Sequence, residues 1–258
     1  MTDHRSKPPL SVLVRGDFAC FTRPELKVER VSYPVMTPSA ARGVLEAIVW
    51  KPAMRWRVER IKVLNPIRFT GIRRNEVSNA AAMPSRATLD DGGGYEVTVA
   101  EARRQQRNTV ALRDVAYVIE ARIEMTSHAG PGDNLAKFVD MFRRRVERGQ
   151  CFQQPFLGMR EMAADFEAPT GDERPIGETR ELGLMLWDME YRRASGKGQR
   201  PTIAWREAGE VVNGSARPVF FAASMKNGVI EVPATIEAAE ASIAAAHGVG
   251  SFESEGGA

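Results

Sequence analysis

Polar and apolar residues alternate most regularly between positions 115 and 125 of the chain. Tyr117, Ile119 and Ile123 fall on one side of this segment, and Glu120 and Arg122 fall on the other. A period of two residues is typical of a β-strand with one buried face. Shorter apolar runs predict further strands at residues 10–15, 56–64 and 67–72.

A first helix is predicted to begin at Thr37 and Pro38, because threonine caps helix N-termini and proline suits the first helical position. It ends before Pro52, since the residue preceding a proline avoids helical geometry. Between these limits apolar residues recur at i, i+3, i+4 and i+7 and share one face: Ala41, Val44, Leu45 and Ile48.

A second helix follows the turn at residues 130–132. Asp133 or Asn134 can cap it, and Gly149 is suited to the position just beyond its end. Its polar side carries Lys137 and several arginines. Its apolar positions again have helical spacing: Leu135, Phe138, Val139, Phe142 and Val146.

The order of elements predicts an α+β protein. Residues 10–150 read as β-α-β-β-(insertion)-β-α, which favours a ferredoxin-like (RRM-like) domain with an insertion at 76–105. A short helix is predicted near residues 99–104 of that insertion. Residues 151–247 predict a smaller β-rich domain with strands at 183–191 and 219–223 and a helix at 235–247, and residues 248–258 predict a disordered tail.

Composition limits the class of protein further. The 258 residues are 43% hydrophobic and 27% charged, as in a folded domain. No apolar run approaches the roughly 20 residues that cross a bilayer, so no membrane association is expected. Cys20 and Cys151 are too few for a disulfide framework, which predicts a cytoplasmic protein.

Arginine clusters are the feature of the charge pattern that bears on function. The net charge is only +3, but cations gather at residues 73–74, 103–107 and 143–148. Arginine matches phosphate geometry, and clustered cations release counterions when they bind a nucleic-acid backbone. Solvated surface arginines balanced by nearby acids are the alternative interpretation.

Several kinds of catalytic site are disfavoured by the sequence. His4, His128 and His247 are far apart, and no cysteine or histidine spacing fits zinc. No phosphate-binding glycine loop or Gly-x-Ser-x-Gly motif is present. RNA, however, carries its own nucleophile, the 2′-OH, so a protein that positions it and supplies a few polar groups can cut it.

Four stretches carry a resemblance to a known family. They are GDFACFTRPELKVERVSYPVMTPSAARGVLEAIVWKP (16–52), IRRNEVS (72–78), RRQQRNTVALRDVAYVIEA (103–121) and AKFVDMFRRRVERGQCFQQPFLGMRE (136–161). Together they resemble the CRISPR-associated Cas-five proteins of subtype I-C (the c or d variant), in the RAMP superfamily. The similarity extends over about residues 10–225.

The resemblance implies a ferredoxin-like N-terminal domain and a smaller β-rich C-terminal domain. It also implies cleavage of precursor CRISPR RNA at the base of the repeat hairpin, without a metal or other cofactor. The protein then stays on the 5′ handle of the crRNA and joins the backbone and large subunits of the type I-C interference complex.

The family's catalytic positions are only partly kept. They are an aromatic residue before Trp50-Lys51-Pro52 and a Lys-His pair early in the second helix. Here Val49 stands at the first, Lys137 matches the lysine, and Phe138 replaces the histidine. Because Phe138 falls on the apolar face of its helix, we expect it to pack in the core. Lys137 is thus the catalytic candidate, or else a plain surface lysine.

Two weaker candidates can replace the missing groups. His128 lies in the turn before the second helix. Tyr33 lies in a loop before the first helix and is expected to be less constrained than Tyr117, which is expected to be buried. A solvated surface role is the alternative for His128. For RNA binding the foremost candidates are Arg143, Arg144, Arg145 and Arg148, and the second group is Arg73, Arg74, Arg104 and Arg107.

Three hypotheses for function therefore stand after the sequence. The first is a metal-independent endoribonuclease that leaves a 5′-OH and a 2′,3′-cyclic phosphate. The second is a binding and assembly subunit of the same complex with weak or no cleavage, which Val49 and Phe138 favour. The third, an unrelated ferredoxin-like nucleic-acid-binding module, is disfavoured by the length of the resemblance.

Overall fold

The computed structural model describes residues 8–26, 28–77, 85–90, 104–194, 202–207 and 210–246. The helices in these parts of the chain are α1 (Pro38–Ile48), α2 (Arg86–Asp90), α3 (Leu135–Glu147) and α4 (Ile236–Ala246). The strands are β1 (Leu10–Ala19), β2 (Arg30–Val31), β3 (Met54–Val63), β4 (Phe69–Val77), β5 (Arg104–Met125), β6 (Asp165–Glu167), β7 (Arg180–Arg193), β8 (Ile203–Glu207), β9 (Glu210–Met225) and β10 (Val229–Glu231).

The strands form two sheets, so the protein is α+β with mostly antiparallel pairing. The first sheet has the order β10-β3-β5-β1-β6, and β2 and β4 pair with β5 as well. Among the strands of the described residues, only β2 runs parallel to the strand beside it. The second sheet has the order β7-β9-β8. Strands β6 and β10 follow residue 150 but pair with β1 and β3 of the first sheet. The division of the chain into domains at residue 150 remains a prediction.

Strand β5 organises the first sheet because its two halves have different partners. Its N-terminal half pairs with β4, from Phe69 opposite Leu112 to Val77 opposite Arg104. Its C-terminal half lies between β1 and β3 and contains the regular alternation seen in the sequence. The predicted strand at 115–125 is confirmed, but it is only part of a 22-residue strand.

Helices α1 and α3 cover one face of this sheet. The indole ring of Trp56 on β3 contacts both: its Nε1 donates to the carbonyl of Val49 at 2.8 Å, and its ring meets that of Phe142 edge-on, with centroids 4.8 Å apart. The apolar face of each helix predicted from the sequence is buried here. Trp56 therefore packs the C-terminal end of α1 and the middle of α3 against the sheet.

The capping predictions hold in detail. Thr37 caps α1 and accepts a hydrogen bond from the amide of Ala40, and Asn134 rather than Asp133 caps α3. Gly149 follows the C-cap Arg148 and has φ +61°, the left-handed conformation in which glycine is favoured. The ends of both helices are therefore encoded locally.

The opposite face of the sheet is charged. Glu120 is buried there and pairs with Arg60 at 2.5 Å and Lys62 at 2.7 Å. Arg57 pairs with Glu59 and Glu124 on the same face. These ion pairs allow the alternate residues of β3 and β5 to be charged although the strands are central.

The predicted insertion at 76–105 is only partly described. Residues 76–77 and 104–105 belong to β4 and β5, and α2 occupies residues 86–90. The helix predicted near residues 99–104 falls outside the described residues except for Arg104, which is in a strand. The predicted tail at 248–258 also lies outside the described residues.

One bidentate ion pair ties α1 to the second sheet. Arg42 on α1 donates from Nε and Nη2 to the two carboxylate oxygens of Asp188 on β7, at 2.7 and 2.9 Å. Burial tends to lower the pKa of Arg42, but the carboxylates of Asp188 and Glu46 together outweigh this effect and raise that pKa. The charge of this partly buried guanidinium is therefore stabilised by the carboxylate of Asp188.

We expect Asp188→Ala to reduce the free energy of unfolding by about 2 kcal/mol, because it leaves Arg42 half-buried without that carboxylate. The figure is below that of a fully buried pair, since both side chains keep some contact with water. Urea denaturation measures it, with Asp188→Asn as the milder variant. An unchanged midpoint would show that the pair contributes nothing.

Candidate functional site

The end of α1 and the loop that leads into α3 lie side by side. Thr126, just after β5, donates from its hydroxyl to the carbonyl of Pro52 at 2.6 Å and from its amide to that of Ala53 at 3.0 Å. Lys51 also lies near enough to Asp133 to help lower the pKa of that carboxyl. Lys51 and Pro52 are thereby brought toward the N-terminal end of α3.

Lys137 is held as a surface cation at this junction. Its Nζ donates to the carboxylate of Asp133 at 3.0 Å and to the carbonyl of Gly132 at 3.3 Å, and its side chain is 46% exposed. The hydrogen bond from Lys137, with one from the amide of Gly130, holds the pKa of Asp133 below its usual range. A fixed ammonium of this kind is suited to stabilise negative charge on a phosphate.

Val49 and Phe138, which the sequence resemblance places at two expected catalytic positions, are both buried. Val49 is the C-cap of α1, and its amide donates to the carbonyl of Leu45. Phe138 is 1% exposed, which confirms the prediction that it packs in the core. Neither side chain can move a proton, and neither reaches the surface where Lys137 lies.

The weaker candidates are placed differently from one another. His128 is exposed in the loop that leads to Lys137, and its amide donates to the hydroxyl of Thr126 at 3.2 Å. Tyr33 is 1% exposed, below the guanidinium of Arg23, so the expectation that it is less constrained than Tyr117 is wrong. Burial raises the pKa of Tyr33 and of Tyr117, which is buried as predicted. A buried phenol with a raised pKa is a poor base.

The arginines of α3 separate onto two sides of the helix. Lys137, Arg144 and Arg148 recur at i, i+7 and i+11, and therefore share one side, here called the basic flank. Arg145 lies between this flank and the core face, and its guanidinium donates to the carbonyl of Ile48, which places the flank toward α1. Arg143 lies on the other side, where it borders an apolar groove of about 360 Å³.

The second group of arginines lies in the hairpin of β4 and β5. Arg73 and Arg104 are exposed, whereas Arg74 is bound to Glu161 and Glu76, and Arg107 donates to Gln105. This hairpin is at the N-terminal end of β5, and Lys137 follows the C-terminal end. A strand rises about 3.3 Å per residue, so the length of β5 separates the two groups. They do not form one site with Lys137.

Two features of the site were missed in the sequence. Asp133 was considered only as a helix cap, although its i,i+4 spacing to Lys137 is the usual signal for an ion pair on a helix. The other is the exposure of two aromatic side chains, Trp50 and Phe152, at 52% and 81%. No periodicity signals this exposure, since neither residue lies inside a helix or strand.

Comparison with known proteins identifies the family. Residues 10–233 match the family model described as CRISPR-associated protein (Cas_Cas5). A protein of Mannheimia succiniciproducens is 46% identical over 234 residues, which take in 84% of this chain and 92% of that protein. The chain belongs to the Cas5d family. The family inferred from the sequence is confirmed.

A second Cas5d relative, from Thermus thermophilus, is 43% identical over 226 residues, or 87% of this chain and 91% of that protein. Both relatives are named CRISPR pre-crRNA endoribonuclease Cas5d. A solved CRISPR-associated protein (22% identical, TM-score 0.57) and a functionally uncharacterized protein from Streptococcus mutans (20%, 0.56) share the fold. Each comparison covers 86% of this chain and 90% of the other.

Two features are absent from the part of the chain that the structure describes. None of the helices found there is long and apolar enough to cross a membrane. Among the same residues, no group of three or more histidine, cysteine, aspartate or glutamate side chains could hold a metal ion. Cys20 and Cys151 are both free thiols.

Proposed function

We propose that this Cas5d protein binds the repeat of precursor CRISPR RNA and cleaves it at the base of the repeat hairpin without a metal. It then stays on the 5′ handle of the crRNA as a subunit of the type I-C interference complex, in the cytoplasm. The observation that carries the proposal is the identity to two proteins named pre-crRNA endoribonuclease, across more than nine-tenths of their length.

The proposal includes a ferredoxin-like first domain and a smaller β-rich C-terminal unit. Its support is the order β6-β1-β5-β3 within the first sheet, with α1 between β1 and β3 and α3 between β5 and β6. That is the order expected of two interleaved β-α-β units with antiparallel neighbours. Their two helices share the face that carries Trp56.

The reaction requires a group that accepts the 2′ proton, a group that donates a proton to the 5′-oxygen, and a group that stabilises negative charge on the phosphate. The 2′-oxygen of the nucleotide before the cut forms a bond to phosphorus and loses its proton, while the bond from phosphorus to the 5′-oxygen breaks and that oxygen gains a proton. The products are a 2′,3′-cyclic phosphate and a 5′-OH. In our proposal Lys137 stabilises the charge that accumulates on the phosphorane, because its ammonium is exposed and fixed by Asp133.

Few side chains near Lys137 are suited to accept the proton of the 2′-OH. His128 is exposed on the loop before Lys137 and has a side chain able to accept and return a proton. Tyr33 is disfavoured by its burial. We therefore propose His128 as the group to test for proton transfer, with Tyr33 as the second.

The basic flank would hold the RNA backbone beside the cut. From Lys137 to Arg144 the helix rises about 10 Å, and from Arg144 to Arg148 about 6 Å more. At about 3.4 Å per nucleotide of a stacked strand, this length spans about five phosphates. Within the described parts of the chain, neither Arg144 nor Arg148 has an acidic partner, so both remain available for phosphate.

A second candidate function follows from a specific observation. Val49 and Phe138, which the resemblance places at two of the family's catalytic positions, are both buried and unable to transfer protons. A handle-binding and assembly subunit with weak or no cleavage needs only the basic flank. In that case another activity processes the transcript.

Labelled repeat RNA from the protein's own array, compared with a scrambled RNA of equal length, tests the proposal. Tight binding to the repeat with one cut at the hairpin base supports the nuclease. Tight binding without a cut supports the assembly subunit. Equal binding to both RNAs would contradict both functions and favour a general nucleic-acid-binding module.

The basic flank makes a prediction about salt. In Arg144→Ala/Arg148→Ala, the slope of log affinity against log salt should fall in magnitude by about 1.4, because each phosphate contact on a single strand contributes about 0.7. Arg143→Ala changes the same residue type on the other side of α3 and should leave the slope as it is. Fluorescence anisotropy at several salt concentrations measures both, and equal effects from the two sides would contradict the assignment.

A further inference from the structure

Two large aromatic side chains are exposed where the C-terminal ends of α1 and α3 meet. Trp50 is 52% exposed and follows the C-cap of α1. Phe152 is 81% exposed, and its amide donates to the carbonyl of Ala47 in the last turn of α1, at 2.9 Å. The backbone therefore brings both residues to the C-terminal end of α1, and at this corner both side chains are exposed.

This aromatic corner, Trp50 and Phe152, is adjacent to cations. Phe152 is four residues beyond Arg148, and the guanidinium of Arg145 binds the carbonyl of Ile48, two residues before Trp50. Lys51 follows Trp50 directly and lies near Asp133 at the other end of α3. The corner thus lies beside the C-terminal end of α3, whose last turn and C-cap carry Arg144, Arg145 and Arg148.

The charge of the surroundings distinguishes between the partners that an aromatic corner can have. A protein-docking patch is typically apolar at its centre and depleted in charge. Exposed rings interleaved with cations are instead typical of surfaces that bind single-stranded nucleic acid, where bases stack on rings and phosphates meet the cations. Complementarity to a polyanion with flat apolar faces favours RNA.

We propose that Trp50 and Phe152 form a stacking platform for unpaired nucleobases of the repeat RNA, next to the phosphates held by Arg144 and Arg148. The inference rests on the proposed function and adds to it the way in which nucleotides outside the hairpin are bound. Stacking is tolerant of base identity, so the platform fixes the path of the strand rather than its sequence. It would align the backbone that runs toward Lys137.

The test uses binding of repeat RNA with and without bases. Trp50→Ala and Phe152→Ala are each expected to weaken binding about 10-fold, the usual effect of losing one base-aromatic stack. Trp50→Phe keeps a ring and should restore most of the affinity. Tyr191→Ala, which removes an equally exposed ring from the second sheet, is the matched control and should bind as the unchanged protein does.

RNA with abasic nucleotides distinguishes base stacking from other effects of the Trp50 substitution. Replacing the unpaired nucleotides beside the hairpin by abasic ones should weaken binding to the unchanged protein by a similar factor. Trp50→Ala should then add no further loss, because the base it stacks on is already absent. The fluorescence of Trp50 gives an independent signal: repeat RNA should quench it, and Trp50→Phe should remove that quenching.

The outcomes separate this inference from the proposed function. If repeat RNA binds tightly but Trp50→Ala and Phe152→Ala bind as well as the unchanged protein, the platform is wrong and the proposed function stands. If the two residues instead dock another protein, both variants should bind RNA normally but fail to assemble into the complex. If the unchanged protein does not prefer repeat RNA, both the function and the platform are overturned.

Discussion

Replacing Lys137 with alanine should slow cleavage of repeat RNA by about 100- to 1000-fold, the range expected when one preorganised donor to a developing negative charge is removed. The physical reason is the position of its ammonium, which Asp133 and the carbonyl of Gly132 hold at the exposed start of α3. No second cation is fixed in the same way among the described residues of that loop. The loss should appear in the rate constant of the chemical step.

Single-turnover cleavage at saturating protein measures this rate apart from affinity. Lys137→Arg keeps a positive charge and should retain more activity than alanine. Lys226→Ala removes an exposed lysine from the turn between β9 and β10 and serves as the matched control. Cleavage by Lys137→Ala at the control rate would exclude Lys137 from the chemistry, whereas weaker binding with an unchanged rate would limit it to holding RNA.

Gly158→Ala should destabilise the fold by about 4 kcal/mol or more, the range of exceptional single substitutions. Gly158 has φ +85°, and a Cβ atom there would lie 2.0 Å from the carbonyl oxygen of Cys20. The clashing atoms belong to the backbone of Cys20, which cannot move away easily because its amide donates to the carbonyl of Leu157 at 3.0 Å. The turn and the end of β1 would have to separate.

Gly149→Ala is the control for this prediction. Gly149 also has positive φ, +61°, but a Cβ there meets no atom within 4 Å. Its cost should be only the roughly 1 kcal/mol of left-handed backbone for a residue with a side chain. Urea denaturation compares the two variants, and equal losses would show that the contact with Cys20 is relieved at little cost.

The sequence was most informative where structure is decided by neighbouring residues. Asn134 and Gly149 at the ends of α3, Thr37 at the start of α1, and the burial of Phe138 all follow from local pattern and were predicted. The family resemblance was confirmed as well. In these places a single helix face or cap determines the result.

Contacts between distant segments could not be predicted in this way. Tyr33 is buried because β5 and the second sheet enclose its loop, and nothing nearby in the sequence indicates this. The pairing of β4 with the first half of β5 lengthens both strands beyond their apolar patterns. Helical spacing alone groups Lys137, Arg144 and Arg148, but the position of this flank beside α1 is shown only by the contact of Arg145 with Ile48.

The most direct test of the central claim uses repeat RNA in which the nucleotide before the cut is a deoxynucleotide and so lacks the 2′-OH. Its cleavage is measured in the presence of EDTA. The account predicts that this RNA binds as tightly as the unmodified repeat but is not cut. The unmodified repeat should be cut once and leave a 2′,3′-cyclic phosphate. Cleavage of the 2′-deoxy RNA, or cleavage of the unmodified repeat only when a divalent metal is added, would contradict the account.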